Sequence, residues 1–122
     1  MQPGPILGKR ILLADDQPGV REAVRMLLCV DEHLVTEARD GKEALDLFSP
    51  GRFDLVITDY SMPRMAGNEL ATRIKAIAPE QPIIMITAFS EELNGFGNPV
   101  DAILNKPFSF SDLREAIAEL VR

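Results

Sequence analysis

Five residues that could take part in phosphate or metal chemistry stand at the ends of predicted strands in this chain. They are Asp15, Asp16, Asp59, Thr87 and Lys106. A carboxylate accepts a phosphoryl group, forming an aspartyl phosphate, when it is oriented and its charge is compensated. Mg²⁺ prefers oxygen ligands, and an ammonium group neutralises phosphoryl oxygens. These residue types therefore predict magnesium-dependent transfer of a phosphoryl group to an aspartate.

The elements that position these residues follow from the apolar pattern. Short apolar runs alternate with segments of helical spacing, which predicts βαβ units, a parallel sheet and a doubly wound α/β fold. The predicted strands cover 11–14, 34–38, 53–58, 82–87 and 100–104, and the predicted helices cover 18–30, 41–48, 68–77 and, from a cap at Ser109 or Ser111, the stretch through 121. Because sites form outside the carboxyl ends of parallel strands, we expect the five residues to converge on one rim of the sheet.

Each of these residues also has an interpretation without chemistry. Asp16 could cap the helix that begins near Pro18, and Asp59 could form a turn. Thr87 could serve only as a strand residue, and Lys106 could be solvated. Their joint placement at four strand ends favours the chemical interpretation.

Length and charge limit the function further. The chain has 122 residues, enough for one domain, and we expect residues 1–8 to form a flexible lead-in to a domain at 9–122. A formal net charge of −6 argues against direct nucleic-acid binding by this chain. No apolar stretch is long enough for a signal sequence or a membrane span, so a cytoplasmic protein with no membrane partner is expected. Cys29 is predicted to be a buried apolar residue, and His33 to be exposed in a turn.

Four motifs carry a resemblance to a known family. They are ILLADD at 11–16, VITDYSMPRMAG at 56–67, ITA at 86–88 and LNKPF at 104–108. From Lys9 to about Val121, the chain resembles the response-regulator receiver domain of two-component signal transduction. The resemblance implies a flavodoxin-like, five-stranded parallel sheet with strand order 2-1-3-4-5.

The resemblance also implies a role for each site residue. Asp59 would be the phosphoacceptor. Asp15, Asp16 and Asp59 would hold Mg²⁺ together with the backbone carbonyl of Ser61, Asp16 directly and Asp15 largely through water. The switch and phosphate contacts would come from Thr87, Ala88 and Lys106, with Lys106 preceding a typically cis proline at Pro107.

Three features depart from the family pattern. The family usually has Tyr or Phe three residues before the lysine, where this chain has Ile103. The stretch between Thr87 and Lys106 is short and rich in Gly and Asn, so the fourth helix is predicted to be short or irregular. Phe89 stands at a position that borders the path of hydrolytic water, where it would lengthen the lifetime of the phosphorylated state.

The leading interpretation is therefore a phosphoacceptor signalling domain and not an enzyme with an external substrate. A histidine kinase or phosphotransfer protein would supply the phosphoryl group, and the downstream partner or output domain is not given by the sequence. One alternative is a small phosphatase of the haloacid-dehalogenase kind, although Ser61 occupies the place of the second aspartate that such enzymes use. The other alternative is a receiver-like scaffold that binds partners without phosphorylation.

Overall fold

Five strands alternate with four helices along the residues that the computed structural model describes, 5–88 and 99–121. The strands are β1 (Arg10–Ala14), β2 (Leu34–Ala38), β3 (Leu55–Asp59), β4 (Ile83–Thr87) and β5 (Ala102–Asn105). The helices are α1 (Pro18–Val30), α2 (Gly41–Leu47), α3 (Gly67–Ile77) and α4 (Phe110–Leu120). The predicted short fourth helix and Phe89 lie outside the described residues. None of the described helices has the length and apolarity needed to cross a bilayer.

All five strands are parallel, and their order is β2-β1-β3-β4-β5, which confirms the predicted doubly wound sheet. The register aligns their carboxyl ends. Ala14 lies opposite Thr58, Asp59 opposite Ile86, and Thr87 opposite Asn105. The residues that follow β1, β3, β4 and β5 therefore meet at one edge of the sheet.

Alternate residues of each strand pack against opposite faces of the sheet, because side chains alternate along a strand. Ile11 and Leu13 belong to the core cluster that contains residues of α1 and α4. Leu12 and Ala14 belong to a second cluster with residues of α2 and α3. Every residue of β3 and β4 is buried. The two strands that lead into the candidate site are thus held on both faces.

The helix starts show which polar side chains are used for capping. The Asp40 carboxylate accepts a hydrogen bond from Glu43 N–H at 2.8 Å, and Ser109 forms a capping box with Asp112 at the start of α4. The residue at the start of α1 is Gln17, with no side-chain capping bond. Asp16 is therefore not used as the helix cap, and the capping interpretation of this residue is wrong.

Two smaller sequence predictions are also wrong. Cys29 is exposed, because Leu28 takes the buried position on α1 and the next residue turns to solvent. His33 is buried, with 4% of its surface exposed, because the turn after α1 folds against the start of β1. Lys9 N–H donates to His33 Nδ1 at 3.0 Å. The proton of the neutral ring is therefore on Nε2.

Protonation of His33 is expected to destabilise the fold. Burial lowers its pKa, and nearby Lys9 lowers it further, while Asp31 acts in the opposite direction. Since the unfolded chain then binds more protons, this contribution to stability is complete above the unfolded-state pKa of about 6.5 and is lost as pH falls through the lower folded-state pKa. Each pH unit by which the pKa is lowered corresponds to about 1.4 kcal/mol.

His33→Asn isolates this contribution, because an asparagine Oδ1 can accept the Lys9 N–H bond without titrating. We expect the free energy of unfolding to fall more for the wild type than for the variant between pH 8 and pH 5, measured by urea denaturation at several pH values. Parallel curves for the two proteins would contradict the prediction.

Candidate functional site

The carboxylate of Asp59 and the ammonium group of Lys106 form the centre of the site. Asp59 is the last residue of β3 and is 5% exposed, and Lys106 follows β5. Lys106 Nζ lies 2.9 Å from Asp59 Oδ1. The Lys106 backbone N–H donates to Thr87 O at 2.9 Å, which fixes the lysine to the end of β4. The Lys106–Pro107 peptide bond is cis, as expected. The end of β5 therefore supplies a cation to the end of β3.

The turn after β1 brings two further carboxylates to the same place. Asp15 N–H donates to Ala38 O at 3.1 Å, and Asp15 Oδ1 accepts from Gln17 N–H at 2.9 Å. One carboxylate oxygen each from Asp15, Asp16 and Asp59 lie within 4.8 Å of one another. The three acidic residues predicted from sequence are thus brought together.

Among the described residues, the three carboxylates of this site share the ammonium group of Lys106. Burial raises the pKa of Asp15, and the Asp59 and Asp16 carboxylates raise it further, whereas the Gln17 N–H bond and Lys106 lower it. Asp16 Oδ1 is buried and has no hydrogen-bond partner among the described residues. An all-oxygen donor set with one buried, unpaired carboxylate oxygen fits a hard divalent cation such as Mg²⁺.

A cavity of about 200 Å³ opens over Asp59. Its lining residues come from the ends of four strands and from the turns that follow, namely Gln17, Asp59, Tyr60, Ser61, Thr87, Ala88 and Lys106. The structure therefore brings Ser61, Thr87, Ala88 and Lys106 around the Asp59 carboxylate, as expected. Gln17 and Tyr60 were not predicted, and their only sequence signal is that each directly follows an acidic residue of the site.

The backbone after Asp59 is held by close contacts. Gly67 N–H donates to Tyr60 O at 2.8 Å, and Thr58 Oγ1 donates to Asp59 O at 2.9 Å. A Cβ atom at Gly67 would meet the Asp59 carbonyl oxygen and would lie 3.1 Å from both Asp59 C and Tyr60 Cα. The start of α3 thus packs directly on the backbone that carries the candidate phosphoacceptor.

Ile103 is the predicted switch position that the structure does not bring to the cavity. It is half-buried in β5, opposite Met85, and lines a separate groove of about 370 Å³ that includes Asp112 and Glu115 of α4. The aliphatic residue therefore belongs to the edge of the sheet beside α4.

The model of the response regulator receiver domain family matches residues 11–118. The chain belongs to this family. Response regulator MprA of Mycolicibacterium vanbaalenii is 37% identical to this receiver domain over 116 residues, which are 93% of this chain and 50% of that protein. Response regulator MprA of Mycobacterium avium is 35% identical over 116 residues, with coverage of 93% and 51%. The receiver domain thus spans about half the length of the curated relatives it matches.

Solved structures agree with this receiver fold. The response regulator TrrA of Thermotoga maritima, in complex with Mg²⁺ and BeF, has a TM-score of 0.86 and 35% identity, with 93% of this chain and 99% of that chain covered. The non-phosphorylated HemR receiver domain of Leptospira biflexa has a TM-score of 0.81 and 30% identity, with coverage of 92% and 93%. The chain is therefore a receiver domain of two-component signalling.

Proposed function

We propose that this receiver domain accepts a phosphoryl group on the Asp59 carboxylate from a phosphohistidine of a histidine kinase or phosphotransfer protein. The observation that carries the proposal is the position of Asp59, which pairs with Lys106 at 2.9 Å and lies within a cluster of three carboxylates. In the transfer, the phosphorus–nitrogen bond of the donor breaks and a bond from phosphorus to an Asp59 oxygen forms. The histidine nitrogen keeps the electron pair of the broken bond.

Asp15, Asp16 and Asp59 would hold Mg²⁺, together with the backbone carbonyl of Ser61. The buried, unpaired Oδ1 of Asp16 supports this assignment, since such an oxygen is costly without a cation or donor. When bound, Mg²⁺ supplies positive charge to the phosphoryl oxygens. A magnesium ion at this position would also offset the repulsion among three neighbouring carboxylates.

Lys106 and Thr87 would contact the transferred group. The Lys106 ammonium already lies at the Asp59 carboxylate and would neutralise a phosphoryl oxygen once Asp59 is esterified. Thr87 ends β4, lines the same cavity and can donate its hydroxyl to another phosphoryl oxygen. Ala88 follows it at the cavity wall, so movement of Thr87 toward the phosphoryl group would displace the backbone that leads out of β4.

Phosphorylation would then shift the domain between two surface arrangements and so control a downstream partner. The added charge of about −1.5 to −2 favours whichever arrangement gives the phosphoryl group more donors. Relatives about twice as long as this chain support an output segment or partner outside it. Because residue 103 is an isoleucine, Ile103, the coupling to that partner would not use an aromatic side chain at this position.

The test is to incubate the protein with Mg²⁺ and phosphoramidate and to measure its intact mass. We expect a phosphoryl adduct that forms only with Mg²⁺ and is lost at alkaline pH, as an acyl phosphate is. A folded protein that gives no adduct with Mg²⁺ and excess donor would contradict the proposal and favour the scaffold. Steady turnover of p-nitrophenyl phosphate would instead indicate a phosphatase.

Magnesium is expected to stabilise the folded domain. At about 100 times its Kd, the ion should raise the free energy of unfolding by about 2.7 kcal/mol. Asp16→Asn should remove this response and make the metal-free protein more stable by about 1 kcal/mol, because one of three neighbouring negative charges is lost. Thermal unfolding with Mg²⁺ and with EDTA checks both results. A variant that still responds to Mg²⁺ as the wild type does would contradict the assignment of Asp16.

A further inference from the structure

Arg21 connects three elements behind the turn formed by Asp15, Asp16 and Gln17, which we call the acidic turn. It lies in the second turn of α1, and its side chain is 15% exposed. Arg21 Nη1 donates to the backbone carbonyl of Asp15 at 2.9 Å, and Arg21 Nε donates to Glu37 Oε1 of β2 at 3.2 Å. One guanidinium group thus joins α1, the end of β1 and β2.

The contact is made to the backbone of the turn and not to its carboxylates. The Asp15 carbonyl lies on the peptide that connects Asp15 to Asp16, so a donor fixed on this oxygen restrains the plane of that peptide. The side chain of Asp16 is attached to the Cα atom at the end of this peptide, so the orientation of the peptide affects the direction of the side chain. α1 starts after Gln17 without a side-chain cap. The bond from Arg21 to Asp15 O is instead the side-chain contact by which α1 restrains the turn.

The carboxylate of Glu37 compensates the charge of Arg21. Glu37 Oε1 lies 3.2 Å from Arg21 Nε, and the bond from Arg21 to the turn is made to a neutral carbonyl oxygen. Arg21 therefore acts on the acidic turn through the direction of a hydrogen bond more than through its field.

We propose that Arg21 is a positioning residue, which orients the Asp15–Asp16 peptide and thereby sets the affinity of the carboxylate cluster for Mg²⁺. This inference rests on the proposed function in one respect, the identity of the ion. Residues that orient metal ligands from outside the coordination sphere typically change metal affinity about 10- to 100-fold when they are replaced. The guanidinium fork suits this task, because it bonds two acceptors at once in a fixed plane.

Arg25 provides a matched control. It lies one turn further along α1 and also faces Glu37, with its Nε 3.9 Å from Oε2. Within the described part of the chain, Arg25 contacts Glu37, Glu22 and Cys29, and it makes no contact with the acidic turn. Each of the two variants, Arg25→Met and Arg21→Met, removes one positive charge and one ion-pair partner of Glu37. Only Arg21→Met also removes the bond to Asp15 O.

The experiment measures Mg²⁺ binding to the folded full chain by calorimetry and by the fluorescence of Tyr60. Tyr60 is the only tyrosine, the chain has no tryptophan, and its side chain belongs to the residue next to Asp59 in the cavity wall. We expect the Kd for Mg²⁺ to rise about 10- to 100-fold in Arg21→Met and by less than about 2-fold in Arg25→Met. Arg21→Lys should recover part of the affinity, because an ammonium can replace one of the two bonds.

Two further readouts separate positioning from loss of structure. At saturating Mg²⁺, the rate of adduct formation from phosphoramidate should return to within about 3-fold of the wild type in Arg21→Met, because the ligands themselves remain. In the metal-free protein, the amide signals of Asp15, Asp16 and Gln17 should shift in Arg21→Met and not in Arg25→Met.

The outcomes distinguish this inference from the proposed function. Unchanged Mg²⁺ affinity in Arg21→Met, or an equal loss in Arg25→Met, would overturn the role of Arg21 while the wild-type adduct still forms. A wild-type protein that binds no Mg²⁺ would overturn the proposed function and the metal part of this inference. Unmoved amide signals in metal-free Arg21→Met would overturn the orientation of the turn by Arg21.

Discussion

Asp59→Asn should abolish the phosphoryl adduct, with a fall in the rate of at least about 10³-fold, as expected when a nucleophile is removed. The amide has nearly the size of the carboxylate, so the cavity keeps its shape, but a neutral amide oxygen is a poor nucleophile toward phosphorus. Lys106 loses its partner at Asp59 Oδ1 but is about one-third exposed, so water can solvate it. The free energy of unfolding should therefore change by no more than about 1 kcal/mol.

Asp54→Asn is the control for this variant. Asp54 lies just before β3, at the opposite end of the strand, where its carboxylate pairs with Arg10. Its replacement should leave the adduct intact while it removes a carboxylate from the same segment. Intact-mass measurement of both variants after treatment with phosphoramidate and Mg²⁺ checks the prediction. An adduct on Asp59→Asn equal to that on the wild type would place the acceptor elsewhere.

Gly67→Ala should be among the most damaging single-methyl changes in the chain. The added Cβ would meet the Asp59 carbonyl oxygen and would stand 3.1 Å from Asp59 C and Tyr60 Cα, and these backbone atoms cannot rotate away as a side chain can. Overpacking of this kind costs about 1–3 kcal/mol or more. The shift of the Asp59 backbone should also lower the rate of adduct formation in the molecules that remain folded.

Gly19→Ala is the matched control, because it adds the same methyl group to a glycine of α1 that has open space around it. At this position in the first turn of the helix, the change should stabilise the protein by about 0.4–1 kcal/mol. Urea denaturation should therefore move the two variants in opposite directions. Equal midpoints for Gly67→Ala and the wild type would show that α3 can move away from the Asp59 backbone without cost.

Much of the fold was predictable because its signals are local. Continuous apolar runs such as 11–14 and 82–87 indicate strands buried on both faces, and the helical segments between them require parallel pairing. The start of β5 was less predictable. Asp101 precedes the strand, where its carboxylate accepts hydrogen bonds from Ile83 N–H and Lys75 Nζ at 2.8 and 2.7 Å, so β5 begins two residues later than the apolar pattern indicated.

The candidate site was predictable for a similar reason, since the carboxyl ends of parallel strands share one edge whatever the details of the loops. The residues that escaped prediction depend on contacts between elements. Arg21 reaches the Asp15 carbonyl only because α1 packs beside the end of β1, and Gln17 joins the cavity through the shape of its turn. His33 is buried by the Lys9 segment, which no local pattern reveals.

The strand order has a consequence for synthesis on the ribosome. β1 is made first but lies between β2 and β3 in the sheet, so one of its edges stays unpaired until β3 emerges. A nascent chain that has reached the end of β3 already carries all three aspartates, whereas the lysine that compensates them follows β5. An incomplete polypeptide thus holds the three carboxylates without the ammonium group of Lys106, which joins them only when the last strand docks.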